Sequence, residues 1–312
     1  MFIGVDHGTT GIRFAGIETE DRGNATRIFE LSREEAASMD ADTIMDMVER
    51  GLETRAESIE LIALTYSMGD GFSRIKKIEE VNNRGLSGEG GAGKRVGGGT
   101  NVFDAIKNSG IPAIMIPGIH ARSESIDPRM RFFSHCASPD KVGVAYHIYK
   151  QGFENFIFSD VSSNTVTMCV VNGVIIGGMD ACIGAPGLYQ GPIDLQLIRD
   201  IDGGKMSAGD AFANAGVTRK GAAADASATL ALFVAMEVSA MRVLMHDYGV
   251  SADAIFLTGS EGEKRVLKER IDRLLDIKTR TLTRYSAAIG CAEIARDVHY
   301  GTSEIMGIKV EI

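Results

Sequence analysis

Residues 3–13 read Ile3-Gly4-Val5-Asp6-His7-Gly8-Thr9-Thr10-Gly11-Ile12-Arg13, an apolar run, a polar glycine turn and a second apolar run that continues to Ile17. The pattern predicts a β-hairpin whose first strand is buried and ends on a carboxylate. A carboxylate in that place can hold Mg²⁺ through water, and a glycine turn lets consecutive backbone N–H groups face phosphate oxygens. Gly8, Thr9 and Thr10 form that turn, the threonine hydroxyls add donors, and Arg13 adds a charge-assisted one. Taken alone, the string reads equally well as an ordinary hairpin with a hydrogen-bonded Asp.

The segments on either side give it a context. Alternation over residues 25–31 predicts a third strand, 40–52 has helical spacing with Asp40 as N-cap, and 60–66 is a buried-strand candidate. Residues 85–100 read as a glycine-rich loop, 102–107 as a helix, 112–116 as extended and 122–140 as irregular. A helix over 139–149 leads into a second half that opens like the first, with a strand over 155–160 and a hairpin through Asn172-Gly173. There the string Phe156-Ile157-Phe158-Ser159-Asp160-Val161-Ser162-Ser163-Asn164-Thr165 again places a carboxylate and small polar residues after an apolar strand. Further on, a long Ala- and Met-rich helix is expected over 222–248, a strand over 254–258, and helices over 263–275 and 287–298. The strand Ala254-Ile255-Phe256-Leu257-Thr258 runs into the small turn Gly259-Ser260-Glu261, against which a flat base and ribose can lie. The order of elements predicts an α/β chain of two similar lobes, residues 1–150 and 151–312, with a cleft between them where the two carboxylate turns face one another as a phosphate clamp.

Composition agrees with a globular protein. The chain has 312 residues, 44% apolar and 24% charged, enough for two ordinary domains. A formal charge of −9 without a Lys/Arg run gives no reason to expect nucleic acid or an anionic membrane as partner. The N-terminal stretch has no basic segment before an apolar one, and no uninterrupted apolar run is long enough for a bilayer, so a cytoplasmic location is expected. Cys136, Cys169, Cys182 and Cys291 stand singly and read as reduced, mostly buried thiols. None of the six His residues forms an HxxxH or HExxH pair, which disfavours a zinc protease. Gly88 to Arg95 has Walker A spacing but ends in Arg where a hydroxyl should meet Mg²⁺, so a loop over the cleft is the better reading, with Lys94 or Arg95 able to close on an anion.

Segments 3–13, 156–165 and 254–262, in this order, resemble the paired phosphate motifs and adenosine motif of the actin-like ATPase and sugar/acetate kinase superfamily. Within it, FLTGSEGEKRVLKERI is similar to the adenosine turn and following helix of acetate and butyrate kinases. GVIIGGMDACIGAPGLYQGP resembles the stretch after their second phosphate hairpin. As a whole the chain is identified as a member of the archaeal methanogenesis marker protein 12 family. The resemblance implies two RNase H-like, actin-like ATPase domains, bound ATP and Mg²⁺, and a methanogenic archaeon as source. Asp6 and Asp160 would be its metal-binding and catalytic carboxylates, and Gly8, Thr9, Thr10, Arg13, Ser162, Ser163 and Asn164 its phosphate contacts. Gly259, Ser260 and Glu261 would bracket adenosine. The stretch Arg131-Phe132-Phe133-Ser134-His135 resembles the family's Arg and His segment, in which His135 would donate to the phosphoryl group in flight. Departures are Asp6, where acetate kinases carry an amide, and Asp-Val-Ser-Ser-Asn in place of their second phosphate motif.

Two functions are compatible with these motifs: an ATP-dependent phosphotransferase with an unidentified small-molecule acceptor, and an ATP-hydrolysing switch that assembles or activates a partner enzyme. Nucleotide and acceptor are the expected ligands of the first, a protein partner belongs to the second, and a homodimer is compatible with both.

Overall fold

A computed structural model describes residues 1–8, 11–18, 26–66, 71–85, 97–219 and 225–312, and the chain divides into two compact units. The first comprises Met1–Ile126, Arg131–Gly152 and Tyr285–Ile312; the second comprises Asp127–Met130 and Phe153–Arg284. The chain thus leaves the first unit at Gly152, beside the expected cut, but its last segment returns there, where the sequence reading had placed it in the second lobe. A repeat read along the chain assigns elements by order, whereas this segment follows the face that its helix covers.

In the first unit, Phe2–His7 pairs antiparallel with Gly11–Ile17, placing Val5 opposite Phe14 and Asp6 opposite Arg13. Arg27–Ser32 continues the meander, and Leu61–Leu64 and Ala113–Met115 add parallel strands on the other side of Phe2–His7. Ile75–Lys77, Ile308–Glu311 and Glu304–Ile305 complete an eight-stranded sheet; these short strands carry too little alternation to be read from sequence.

One face of that sheet is the larger core. Ile3, Val5, Ile12, Phe14, Ile62 and Leu64 meet Ile44 and Val48 of the helix Ala41–Gly51 and Val102, Phe103 and Ile106 of the helix Gly97–Asn108. Asp40 caps the former by accepting from Thr43 N–H at 2.9 Å, as its sequence predicts. The latter begins five residues before the expected 102, inside the glycine-rich stretch, because Gly98 lies against the backbone of Arg33 and Gly99 against Tyr66. On the opposite face, Ala15 packs with Ala288 and Ala292 of the helix Ser286–His299. That helix in turn packs closely on Pro139–Lys150: a Cβ on Gly143 would stand 2.5 Å from the Ala287 carbonyl oxygen and 2.8 Å from Cys291 Sγ. The stretch expected to be irregular contains one strand, His135–Ala137, paired with Ile119–His120.

The second unit has a five-stranded sheet, ordered Val174–Met179, Thr165–Val171, Phe156–Val161, Ala254–Thr258 and Arg280–Thr281. The first three are antiparallel, and Ala254–Thr258 runs parallel to Phe156–Val161, with Thr258 beside Asp160. Asn172 and Gly173 both take positive φ, 50° and 73°, as the tight hairpin turn requires. The helix Ala226–Asp247 buries Leu230, Val234, Val238, Met241 and Met245 against Ile157, Cys169, Ile255 and Leu257. By length and composition this helix reaches the threshold for a membrane span, which the sequence reading had found nowhere; its buried face is that of a core helix. Cys136, Cys169 and Cys291 are buried and Cys182 is exposed, all as free thiols.

Candidate functional site

Asp6, one residue before the end of the first strand, has only 3% of its surface exposed. Its Oδ2 accepts from Arg13 Nη1 at 2.9 Å, and its Oδ1 is buried without a hydrogen-bond partner among the described residues. Burial, reinforced by the neighbouring Asp140 carboxylate, raises its pKa to about 6 against the opposing pull of Arg13 and Lys141. Asp140 sits in the first turn of Pro139–Lys150, held by the Ser138 hydroxyl at 2.6 Å and by the Lys141 ammonium.

The next residue faces other neighbours. His7 stacks on Tyr66 with ring centroids 4.5 Å apart, and both its ring nitrogens are buried without partners among the described residues. Burial first, and the Arg33 guanidinium second, push its pKa down to about 3, so the imidazole is neutral. Arg33 donates to the Gly8 carbonyl at 2.8 Å and to the His7 carbonyl at 3.3 Å, while His7 N–H donates to the Thr65 hydroxyl at 3.2 Å. These bonds set where the turn begins. Beside them, Tyr66 and Thr100 share a hydroxyl–hydroxyl bond of 2.8 Å, and Arg84 donates to Thr100 at 3.2 Å with its guanidinium 5.8 Å from the Tyr66 ring centre. Thr9 and Thr10, like Lys94 and Arg95, lie outside the described residues.

In the second unit, segments far apart in sequence converge. Ser162 donates to Asp160 Oδ1 at 3.0 Å and accepts from Ser260 N–H at 3.1 Å. Between them lies Gly259, with φ 87°, where a Cβ would overlap Asp160 Oδ1 and Ser162 Oγ and stand 2.6 Å from the Val161 carbonyl oxygen. Only glycine fits there on both counts. Glu261, in the short helix Gly259–Gly262, is ion-paired with Lys264 at 2.7 Å.

Ser163 and Asn164 are gripped from behind. Leu188 N–H donates to the Ser162 carbonyl at 2.9 Å, Tyr189 and Gln190 N–H donate to that of Ser163 at 3.0 and 2.8 Å, and Asn164 Nδ2 donates to Gln190 Oε1 at 3.3 Å. The loop supplying these groups is tied down by Glu237, a carboxyl with 3% exposure inside the long helix. Glu237 accepts from Ala185 N–H at 2.9 Å and from the Thr167 hydroxyl at 2.5 Å, and Thr167 is bonded to Ser159 at 2.8 Å. Burial raises its pKa to about 8 despite both donors.

The structure therefore brings Asp6, Gly8 and Arg13 together in one unit, and Asp160, Ser162, Gly259 and Ser260 in the other. His135 stands on its short strand beside Gly118, whose Cβ would lie 3.5 Å from His135 Nε2. Sequence reasoning passed over Arg33, Tyr66, Arg84 and Asp140, which no spacing links to the turn. It also passed over Glu237, though a single carboxyl between Ala226 and His246 in an apolar helix was a usable signal. Among the described residues no group of three or more His, Cys, Asp or Glu side chains is placed to hold a metal. The unpartnered Asp6 Oδ1 is a hard oxygen donor of the kind Mg²⁺ takes when most other positions belong to water and phosphate.

No family model matches the chain. Full-length relatives do. A UPF0285 protein of Methanosarcina mazei is 49% identical over 327 aligned positions, covering 99% of both chains. Another from Methanocaldococcus jannaschii is 42% identical, covering 99% of this chain and 98% of its own. The chain belongs to the UPF0285 family. Among solved structures, a propionate kinase of Francisella tularensis superimposes with a TM-score of 0.59 at 12% identity, over 92% of this chain and 98% of the other. An acetate kinase of Porphyromonas gingivalis gives 0.57 at 11% identity, over 95% and 98%. The UPF0285 chain has the two-domain fold of these acetate and propionate kinases.

Proposed function

We propose that this UPF0285 protein is an ATP-dependent phosphotransferase acting on a small anionic acceptor. The observation that supports it most is the meeting of Asp160 and Ser162 with Gly259 and Ser260, which turns two separately read segments into one small-residue cradle. Asp6 and Asp160 are the residues that would hold Mg²⁺, whose role is to neutralise phosphate charge. The chain's own groups position and orient: backbone N–H groups of the Gly8 and Ser162–Asn164 turns, the Arg13 guanidinium, and Gly259 to Glu261 against adenosine. Arg33, Arg84 and the Tyr66–Thr100 pair support an anion as acceptor, because they gather two guanidinium groups and two hydroxyls beside the first turn. His135 remains the proposed donor to the phosphoryl group. An alcohol acceptor would hand its proton to Asp160; a carboxylate has none to lose.

Calorimetry with Mg·ATP, followed by ATP consumption against a panel of carboxylic acids and polyols, tests the proposal. Binding is expected below millimolar concentration, with turnover stimulated by one acceptor class. Absence of heat and of thermal shift at about 5 mM Mg·ATP would refute nucleotide binding. Hydrolysis stimulated only by a protein would favour the switch.

A further inference from the structure

Helix Ala226–Asp247 and the strand Ala254–Thr258 enclose, with residues 277–280, a cavity of about 580 Å³ within the second unit. That volume is in the range of small-molecule pockets. It lies at the Ala254–Ile255 end of the strand, whereas Gly259 follows the other end, roughly 13 Å away at the usual rise per residue. The two places are therefore distinct.

Four basic residues, Arg242, His246, Lys278 and Arg280, line this cavity over an apolar part that includes Val250 and Ile277. None of the three permanent cations is paired with a carboxylate among the described residues. Asp253 is the one acid in the lining, and its Oδ2 already accepts from Asn155 N–H at 3.1 Å. In a protein of net charge −9, such a gathering of unneutralised cations is a local inversion of sign. The helix dipole accounts for a basic residue in the last turn, His246, but not for Lys278 and Arg280, which come from a separate segment.

That segment is rigidly held. Thr279, between the two cations, is buried and donates through both N–H and hydroxyl to Asp272 Oδ1, at 2.9 and 2.6 Å. Arg280 rests over the Phe153 ring, 4.8 Å from its centre. Cations preorganised in this way lose little freedom when an anion binds.

We infer that this cavity binds a small phosphate ester with an apolar body, independently of the nucleotide site. Phosphate is favoured over carboxylate because three cations from two elements surround the space, matching a dianion with three acceptor oxygens. The test is calorimetry with phenyl phosphate at low salt in the presence of saturating Mg·ATP, for the parent and for the Arg242→Gln/Arg280→Gln double variant. The parent should bind, and the variant should bind at least about 10-fold more weakly with folding and Mg·ATP affinity unchanged. Binding should weaken steeply toward about 0.5 M salt. Phenyl phosphate binding that survives in the variant, or no binding by the parent at about 10 mM, would overturn the inference. Equal binding of benzoate would overturn the phosphate assignment.

Discussion

Gly259→Ala is the most informative single change, because the structure separates its two costs. At φ 87° an L-residue is disfavoured by about 1–2 kcal/mol whatever surrounds it. The added methyl also overlaps Asp160 Oδ1 and Ser162 Oγ, and approaches the Val161 carbonyl oxygen to 2.6 Å, an overpacking cost of about 1–3 kcal/mol if these groups hold their places. Gly249→Ala provides the control, since Gly249 has φ 73° in the same unit and a Cβ there would meet nothing within 4 Å among the described residues. Denaturant unfolding should show Gly259→Ala less stable than Gly249→Ala by the overpacking part. If the two side chains instead swing away, that difference shrinks and Mg·ATP affinity falls by at least about 10-fold, measured by calorimetry. Either result, or both in part, follows from the same cradle. Equal stability of the two variants together with parental Mg·ATP affinity in Gly259→Ala would refute it.

Two further changes probe separate groups. Asp160→Asn keeps an oxygen for the Ser162 hydroxyl and removes the charge; turnover should fall on the order of 10²-fold with unchanged circular dichroism, and activity within a few-fold of the parent would remove Asp160 from the mechanism. Glu237, raised from 4.5 to about 8, is a proton-binding group of the folded state, so its contribution is complete below about pH 4.5 and is lost as pH rises through about 8. Glu237→Gln should therefore gain stability relative to the parent between pH 5 and 8 in urea unfolding, and a pH-independent difference would show that burial does not hold the proton.

What could be read from the sequence was what short-range pattern encodes. The strands of residues 2–17 and the Asn172-Gly173 hairpin are short apolar runs separated by turn-forming residues, and Asp40 is an N-cap by its own chemistry. The cradle was half readable: Asp160 and Ser162 lie on one string and Gly259 on another, and only the parallel pairing that sets Thr258 beside Asp160 brings them together. Arg33, Tyr66, Arg84 and Thr100 belong to four segments and meet around one turn through tertiary packing, which no motif spacing records. The helix Ser286–His299 misled for a related reason, since its small residues and close approach to Gly143 suit it to the first sheet, a fit of surfaces invisible in chain order. Glu237 differs from these. A carboxyl alone in an apolar helix has to meet donors or keep its proton, so a place in a polar network such as the one behind the Ser162–Asn164 turn follows from composition once burial is assumed.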